Sequence, residues 1–263
     1  MELNKIYNEN CLDTMLRMPD NFIDLTVTSP PYDNLRTYNG YSFDFESIAK
    51  GLYRVTKEGG VLVWVVSDAT IEGSETGTSF KQALYFKELG FNLHDTMIYA
   101  KQNPIPLTHS RYEQQFEYMF VLSKGKPKTF NGLKEKSKYG GEMASRTRSF
   151  YKTNTENEPT LQNKRDVISD EKLRYNIWYY IVGSTQTGTI KHPATFPEQL
   201  ANDHIISWSN ENELIYDPFI GSGTTAKMAL LNNRNYIGSE ISKEYCEIAE
   251  KRIAPYLAQT SLF

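Results

Sequence analysis

Two stretches of the sequence carry residues whose types and spacing suit chemistry. The first is Thr28-Ser29-Pro30-Pro31-Tyr32. An apolar run over residues 22–27 reads as a buried strand, and two prolines, which lack an amide donor and cannot continue a ladder, stop it. Consecutive prolines preset φ and push the residue before each into extended geometry. The Ser29 hydroxyl, the Ser29 and Pro30 carbonyls and the Tyr32 ring are thereby held with little freedom, which is a way to aim acceptors at a ligand. The second stretch, Leu214-Ile215-Tyr216-Asp217-Pro218-Phe219-Ile220-Gly221-Ser222-Gly223-Thr224-Thr225-Ala226, runs from a short apolar strand through a glycine-rich turn into a helix-forming run. Gly221 and Gly223 let backbone approach a ligand, and the helix start offers free N–H groups and a positive dipole end to a carboxylate or phosphate. Residues 235–239 read as the next strand. It ends at Glu240, an acid placed to accept hydrogen bonds from ribose hydroxyls.

Taken alone, the first stretch also describes a proline-stopped strand entering a surface loop. Together with Lys191-His192-Pro193-Ala194-Thr195-Phe196-Pro197, the two stretches resemble the DNA amino-methyltransferases, which move a methyl from S-adenosyl-L-methionine to an exocyclic base nitrogen. The order, with the proline corner first and the glycine loop last, resembles the circularly permuted beta group of that family, and the resemblance covers most of the chain. It implies an α/β Rossmann-like S-adenosylmethionine-dependent methyltransferase fold, circularly permuted, with an inserted target-recognition region. Carried over residue by residue, it implies Ser29, Pro30, Pro31 and Tyr32 as the catalytic corner. It also implies Asp217, Phe219, Gly221, Gly223, Thr224, Thr225 and Glu240 as cofactor-binding residues, with His192, Pro193 and Ala194 lying against the methionine part. The family usually has an acid near the start that meets the adenine amine; here Asn10 stands there, able to accept through its carbonyl and donate through its amide. Asn8 and Asn10 equally suit the shaping of a turn.

An exocyclic amine is a poor nucleophile because its lone pair is delocalised into the ring. Two acceptors that hold its hydrogens out of plane line the nitrogen up for attack, and the resemblance assigns this work to the Ser29 hydroxyl and the Pro30 carbonyl, with Tyr32 stacked on a flipped base. In the family, Ser at this position goes more often with the cytosine N4 amine, and Asp or Asn with adenine N6. Cytosine N4 is therefore the favoured target, with adenine N6 as the alternative. Methylation of a ring carbon would need a cysteine nucleophile, and neither Cys11 nor Cys246 lies at a matching corner.

Around these residues the sequence predicts the elements that must position them. Strands are expected at 5–7, 61–66, 93–100 and 116–123, the last two as an antiparallel finish to the sheet, and helices at 11–18, 43–56 and 79–89. Glu58-Gly59-Gly60 is expected to end the second helix and Gly90 the third. Thr195 reads as an N-cap and Pro197 as a helix start, with Leu200, His204, Ile205 and Trp208 on the buried face; His204 thus reads as a packed histidine. Ser242 is expected to cap a final helix to about residue 253. The aromatic run over 173–182, with Trp178, Tyr179 and Tyr180, reads as core. A chain of 263 residues suits one large α/β domain with an insert: 1–123 as the catalytic half, 124–175 as the target-recognition insertion and 176–263 as the cofactor-binding half.

The net charge of −3 hides an asymmetry. Residues 124–174 hold thirteen Lys/Arg against seven Asp/Glu, leaving the remainder at −9. In the insertion Lys134, Lys136, Lys138, Arg146 and Arg148 are the expected phosphate contacts, and Tyr139, Phe150 and Tyr151 interleave aromatics. Arg36, in the loop after the corner, is a further DNA-binding candidate. The expected partner is double-stranded DNA, and the resemblance leaves room for a cognate restriction endonuclease and a homodimer. No ligand cluster suggests a metal, and no signal peptide or membrane-length apolar run is read, so a cytoplasmic protein is expected. Two rivals stand beside this reading: a methyltransferase acting on RNA or a protein amide, and an inactive DNA-binding module, the latter suggested by Asn10 alone.

Overall fold

The structure is a computed structural model that describes residues 1–31, 43–103, 111–143, 167–181 and 197–260, with side chains through residue 257. In chain order its elements are β1 (Lys5–Tyr7), α1 (Cys11–Arg17), β2 (Ile23–Thr28), α2 (Phe45–Val55), β3 (Thr56–Val66), β4 (Thr70–Ile71), β5 (Ser74–Glu75), α3 (Thr78–Leu89), β6 (Phe91–Lys101), β7 (Phe116–Lys124), β8 (Lys134–Lys136), β9 (Glu171–Leu173), β10 (Ile177–Tyr180), α4 (Glu198–Trp208), β11 (Leu214–Asp217), α5 (Thr224–Leu231), β12 (Asn235–Ser239) and α6 (Lys243–Thr260).

Eight strands form one sheet in the order β1-β12-β11-β2-β3-β7-β6-β10. Every pairing in it is parallel except those made by β7, which runs against both β3 and β6. The strands are near-continuous apolar runs because both faces are covered. On one face, α1, α2 and α3 pack on Leu62, Trp64, Val66, Tyr216 and Ile237. The alternate side chains Val61, Val63, Val65 and Ile215 are equally buried on the opposite face. There α4 and α5 meet β2 and β11, and α6 packs on α5.

Several expectations shift. The Gly59-Gly60 pair does not end α2; Thr56 does, its hydroxyl turning back onto the Leu52 carbonyl at 2.6 Å, and the glycines lie inside β3. Gly59 takes φ +77°, and the β2–β3 register slips between Ile23 and Leu25. The expected antiparallel pair forms, β6 running against β7, but it does not finish the sheet, because β10 adds to β6 as a parallel edge strand. The 173–182 run is not uniformly core: β10 is an edge strand with Trp178 and Tyr180 buried and Tyr179 exposed. Pro197 is the N-cap of α4 rather than its first residue, α6 continues past residue 253 through Pro255, and Thr195 lies outside the described residues.

The chain divides into two compact units, residues 1–131 with 176–263, and Gly132–Tyr175. The boundary expected at 124 comes later because residues 124–131 are tied to the large sheet. Lys124 donates to the Tyr53 and Thr56 carbonyls, and Lys128 reaches the buried Asp24 at 2.7 Å and Glu213 at 3.0 Å. The smaller unit holds β8 paired antiparallel with β9 and a bridge between Met143 and Val167. Among the described residues no helix is long and apolar enough to cross a membrane.

Candidate active site

In a parallel sheet the loops that leave the carboxyl ends of the strands share one edge. The chain leaves β11 towards β12 on one side and β2 towards β3 on the other, so the crevice between β2 and β11 is the switch point where ligands of such sheets bind. Ser29-Pro30-Pro31 follows β2 and the glycine loop follows β11, which brings the two sequence motifs side by side.

Asp217 joins them. Its Oδ1 accepts from Thr28 Oγ1 at 2.7 Å and from the Phe219 amide at 3.0 Å, and its Oδ2 accepts from Thr225 Oγ1 at 2.7 Å. The side chain is only 1% exposed. Burial pushes its carboxyl up to about 6, against the pull of the three donors. Asp217 was expected among the cofactor contacts; in the structure its oxygens are turned onto the corner and the loop. Thr225 likewise faces inward, to Asp217 and to the Val27 carbonyl at 3.4 Å.

The loop itself is shaped by backbone. Gly221 and Gly223 take φ +49° and +81°, the Gly223 amide donates to the Ile220 carbonyl at 2.9 Å, and no side chain caps the start of α5. A Cβ on Gly238 would lie 2.2 Å from Ile220 Cδ1, so a glycine in β12 is what lets the loop lie down on the strand. Glu240, at the tip of β12, accepts from the Gly221 amide at 3.1 Å and the Ser242 amide at 2.8 Å. Burial raises its carboxyl, partly opposed by these amides and reinforced by Asp217. A carboxylate has about four lone-pair directions, so acceptor capacity remains beside these amides for a ligand's hydroxyl.

The other expected residues fall as follows. Ser29 and Pro31 are half-buried and Pro30 is buried at the end of β2. Asn10 is the N-cap of α1, its Oδ1 accepting from the Leu12 amide at 2.9 Å, so the turn-shaping role is the one its geometry displays. Phe219 is half-buried, edge-on to Phe43 and Trp64. Thr224 opens α5 with its hydroxyl on Arg252. Tyr32, Arg36, Arg146, Arg148, His192, Pro193 and Ala194 lie outside the described residues. In the smaller unit Lys136 is exposed, Lys134 is 3.6 Å from Glu171 and Lys138 lies over the Tyr139 ring. Cys11 and Cys246 are buried and both thiols are pushed up to about 12, chiefly by that burial. His204 is buried against Trp178, with Nε2 3.2 Å from the Met119 sulfur.

The sequence places Asp68 at a strand end on the edge of the proline corner, but gives no sign of Glu198 and Arg252. Asp68, at the end of β3, is occupied as a cap for α3, accepting from the Ser79 amide and hydroxyl at 2.9 and 2.5 Å. The other two lie on α4 and α6, and what reveals them is the contact of Arg252 with the loop and of Glu198 with Arg252.

The profile of the N6/N4 DNA methylases matches residues 23–251, spanning both motifs and the switch point between them. The chain belongs to this DNA methylase family. As an N6/N4 methylase it is a DNA amino-methyltransferase. It is 57% identical over 240 residues to the orphan methyltransferase M.BamHII of Bacillus amyloliquefaciens, covering 89% of this chain and 90% of that one. Its fold is similar to that of the cytosine-N4-specific PvuII DNA methyltransferase, with a TM-score of 0.68 at 19% identity over 97% of this chain and 91% of that one. M1.HpyAVI, solved in complex with S-adenosylmethionine, gives 0.65 at 23% identity, over 95% and 98%. The methylases of this family take their methyl from S-adenosylmethionine. The site of this methylase fits that group: an acid with acceptor capacity to spare stands beside a glycine loop of positive φ and an uncapped helix start.

Proposed function

We propose that the protein methylates the exocyclic N4 amine of cytosine in double-stranded DNA. The observation that carries this reading is Ser29 on a strand end pinned by the Thr28–Asp217 hydrogen bond, beside the glycine loop. Bound in the loop, S-adenosylmethionine supplies an electrophilic methyl on a sulfonium. The Ser29 hydroxyl and the Pro30 carbonyl would accept from the amine's hydrogens and hold its lone pair towards that methyl; transfer would leave a neutral thioether, and the nitrogen, cationic once methylated, would release its proton to water. Tyr32 stacks on the flipped base, which offsets part of the unstacking cost. Glu240 receives the ribose hydroxyls, and His192, Pro193 and Ala194 lie against the methionine part. Thiol pKa values of about 12 at Cys11 and Cys246 speak against the cysteine route to a ring carbon.

DNA is read by the unit Gly132–Tyr175. Exposed Lys136 and Lys138, with Arg146 and Arg148, neutralise phosphates, and Tyr139 offers a face to bases. Digestion of genomic DNA after incubation with the protein and S-adenosylmethionine, followed by nucleoside mass spectrometry, should show new N4-methylcytosine. New N6-methyladenine would leave the family assignment intact and overturn the base.

A further inference from the structure

The glycine loop is held from its outer side by a residue of the last helix. Arg252 on α6 donates from Nη1 to the Ser222 carbonyl and hydroxyl, each at 3.0 Å, and to Thr224 Oγ1 at 3.1 Å. Its Nη2 donates to Glu198 Oε1 at 2.5 Å, and Lys227 of α5 reaches the same oxygen at 2.6 Å. The three side chains are shielded, with exposures of 12% for Arg252, 17% for Lys227 and 19% for Glu198. Helix α6 also touches the loop one turn earlier, where Ala249 Cβ lies 3.0 Å from the place a Cβ on Gly223 would take. Burial alone would raise the Glu198 carboxyl, but the Lys227 and Arg252 hydrogen bonds hold it below the usual range, so it stays ionised between them.

A planar guanidinium with several donors in a fixed fork can bridge a carbonyl, two hydroxyls and a carboxylate at once, which a lysine ammonium cannot. We propose that Arg252 is a positioning residue for S-adenosylmethionine. It holds residues 222–224 in the shape that receives the cofactor, and Glu198 ties that hold to the start of α4, directly after the His192-Pro193-Ala194 segment. The proposal rests on the glycine loop being the cofactor site.

The test uses the full chain, with S-adenosylmethionine affinity from calorimetry, KM and kcat on genomic DNA, and circular dichroism to confirm folding. Arg252→Met should raise Kd and KM for the cofactor by about ten-fold or more while leaving kcat at saturating cofactor and DNA affinity within about two-fold, the pattern of lost uniform binding. Arg252→Lys should recover only part of the loss, because it meets Glu198 without spanning the loop. If Arg252→Met does not fold, Arg252→Lys decides, and it should still bind cofactor about three-fold more weakly than wild type. Wild-type cofactor affinity in the folded variant that decides overturns the proposal. Glu240→Ala separates the two readings. If it loses cofactor while the Arg252 variant keeps it, only the positioning role fails; if it too binds normally, the cofactor site itself is elsewhere.

Discussion

Asp217 shows how one buried carboxylate joins two motifs that lie 189 residues apart along the chain. Among the described residues it has three donors and no cation as partners, so burial prevails and its carboxyl rises from 3.8 to about 6. Because the folded state then binds the proton more tightly than the unfolded chain, the stability this group contributes is greatest in acid. It falls as pH rises from the unfolded value to the folded one, by about 3 kcal/mol in all. Asp217→Asn cannot titrate, so unfolding free energies measured from about pH 4 to about pH 7 should shift in the variant's favour, relative to wild type, by about 2 kcal/mol. A difference flat with pH would contradict the assignment. The residue was legible in the sequence as part of a motif, but not its direction: nothing local says that its oxygens turn to Thr28 and Thr225. Asn10 teaches the same lesson, since an acceptor expected at a ligand is also an acceptor for the Leu12 amide two residues on.

At the scale of elements, the strand stopped by Pro30-Pro31 and the strand–glycine turn–helix unit were legible because prolines and glycines act through backbone sterics that any context respects. Gly223 makes this measurable. It shares φ +81° with Gly73, but a Cβ at Gly223 meets Ala249 of α6 at 3.0 Å, whereas one at Gly73 meets nothing within 4 Å. Gly73→Ala should therefore lower stability by about 1 kcal/mol, the low end of the cost of a left-handed non-glycine residue. Gly223→Ala should cost more than Gly73→Ala and weaken cofactor binding as well, and equal Tm losses with unchanged binding would deny α6 its part in shaping the loop. The edge strand β10 was not read as a strand because four residues of aromatic alternation look the same in a core segment. Gly59-Gly60 was read as a helix end because a glycine at a bulge and one at a C-cap share the same positive φ. The bond from Thr56 to the Leu52 carbonyl, which actually ends the helix, leaves no comparable mark in the sequence.

Across the whole molecule, the parallel order of the sheet does the gathering. Seven of its eight strands point their carboxyl ends to one edge, so motifs at opposite ends of the chain converge at the β2–β11 crevice. The α/β class was legible from alternating apolar runs, but the pairing of β6 and β10 was not, because the direction of a strand depends on long-range partners. The smaller unit carries its own prediction. Lys134, opposite Leu173, reaches diagonally across the strand pair to Glu171 at 3.6 Å, whereas Lys136, though opposite Glu171 in the register, makes no ion pair among the described residues. In DNA binding measured against salt, Lys136→Ala should reduce the slope by about 1, and Lys134→Ala by less. Equal slopes for wild type and Lys136→Ala would remove this strand from the DNA path.

The role of Ser29 is tested most directly by following labelled methyl from S-adenosylmethionine into genomic DNA, with nucleosides resolved after complete digestion, for wild type and Ser29→Ala together. Wild type should place label in N4-methylcytosine, and a Ser29→Ala protein that still binds the cofactor should place almost none. Label in N6-methyladenine, or an undiminished yield of N4-methylcytosine from Ser29→Ala, would contradict that role.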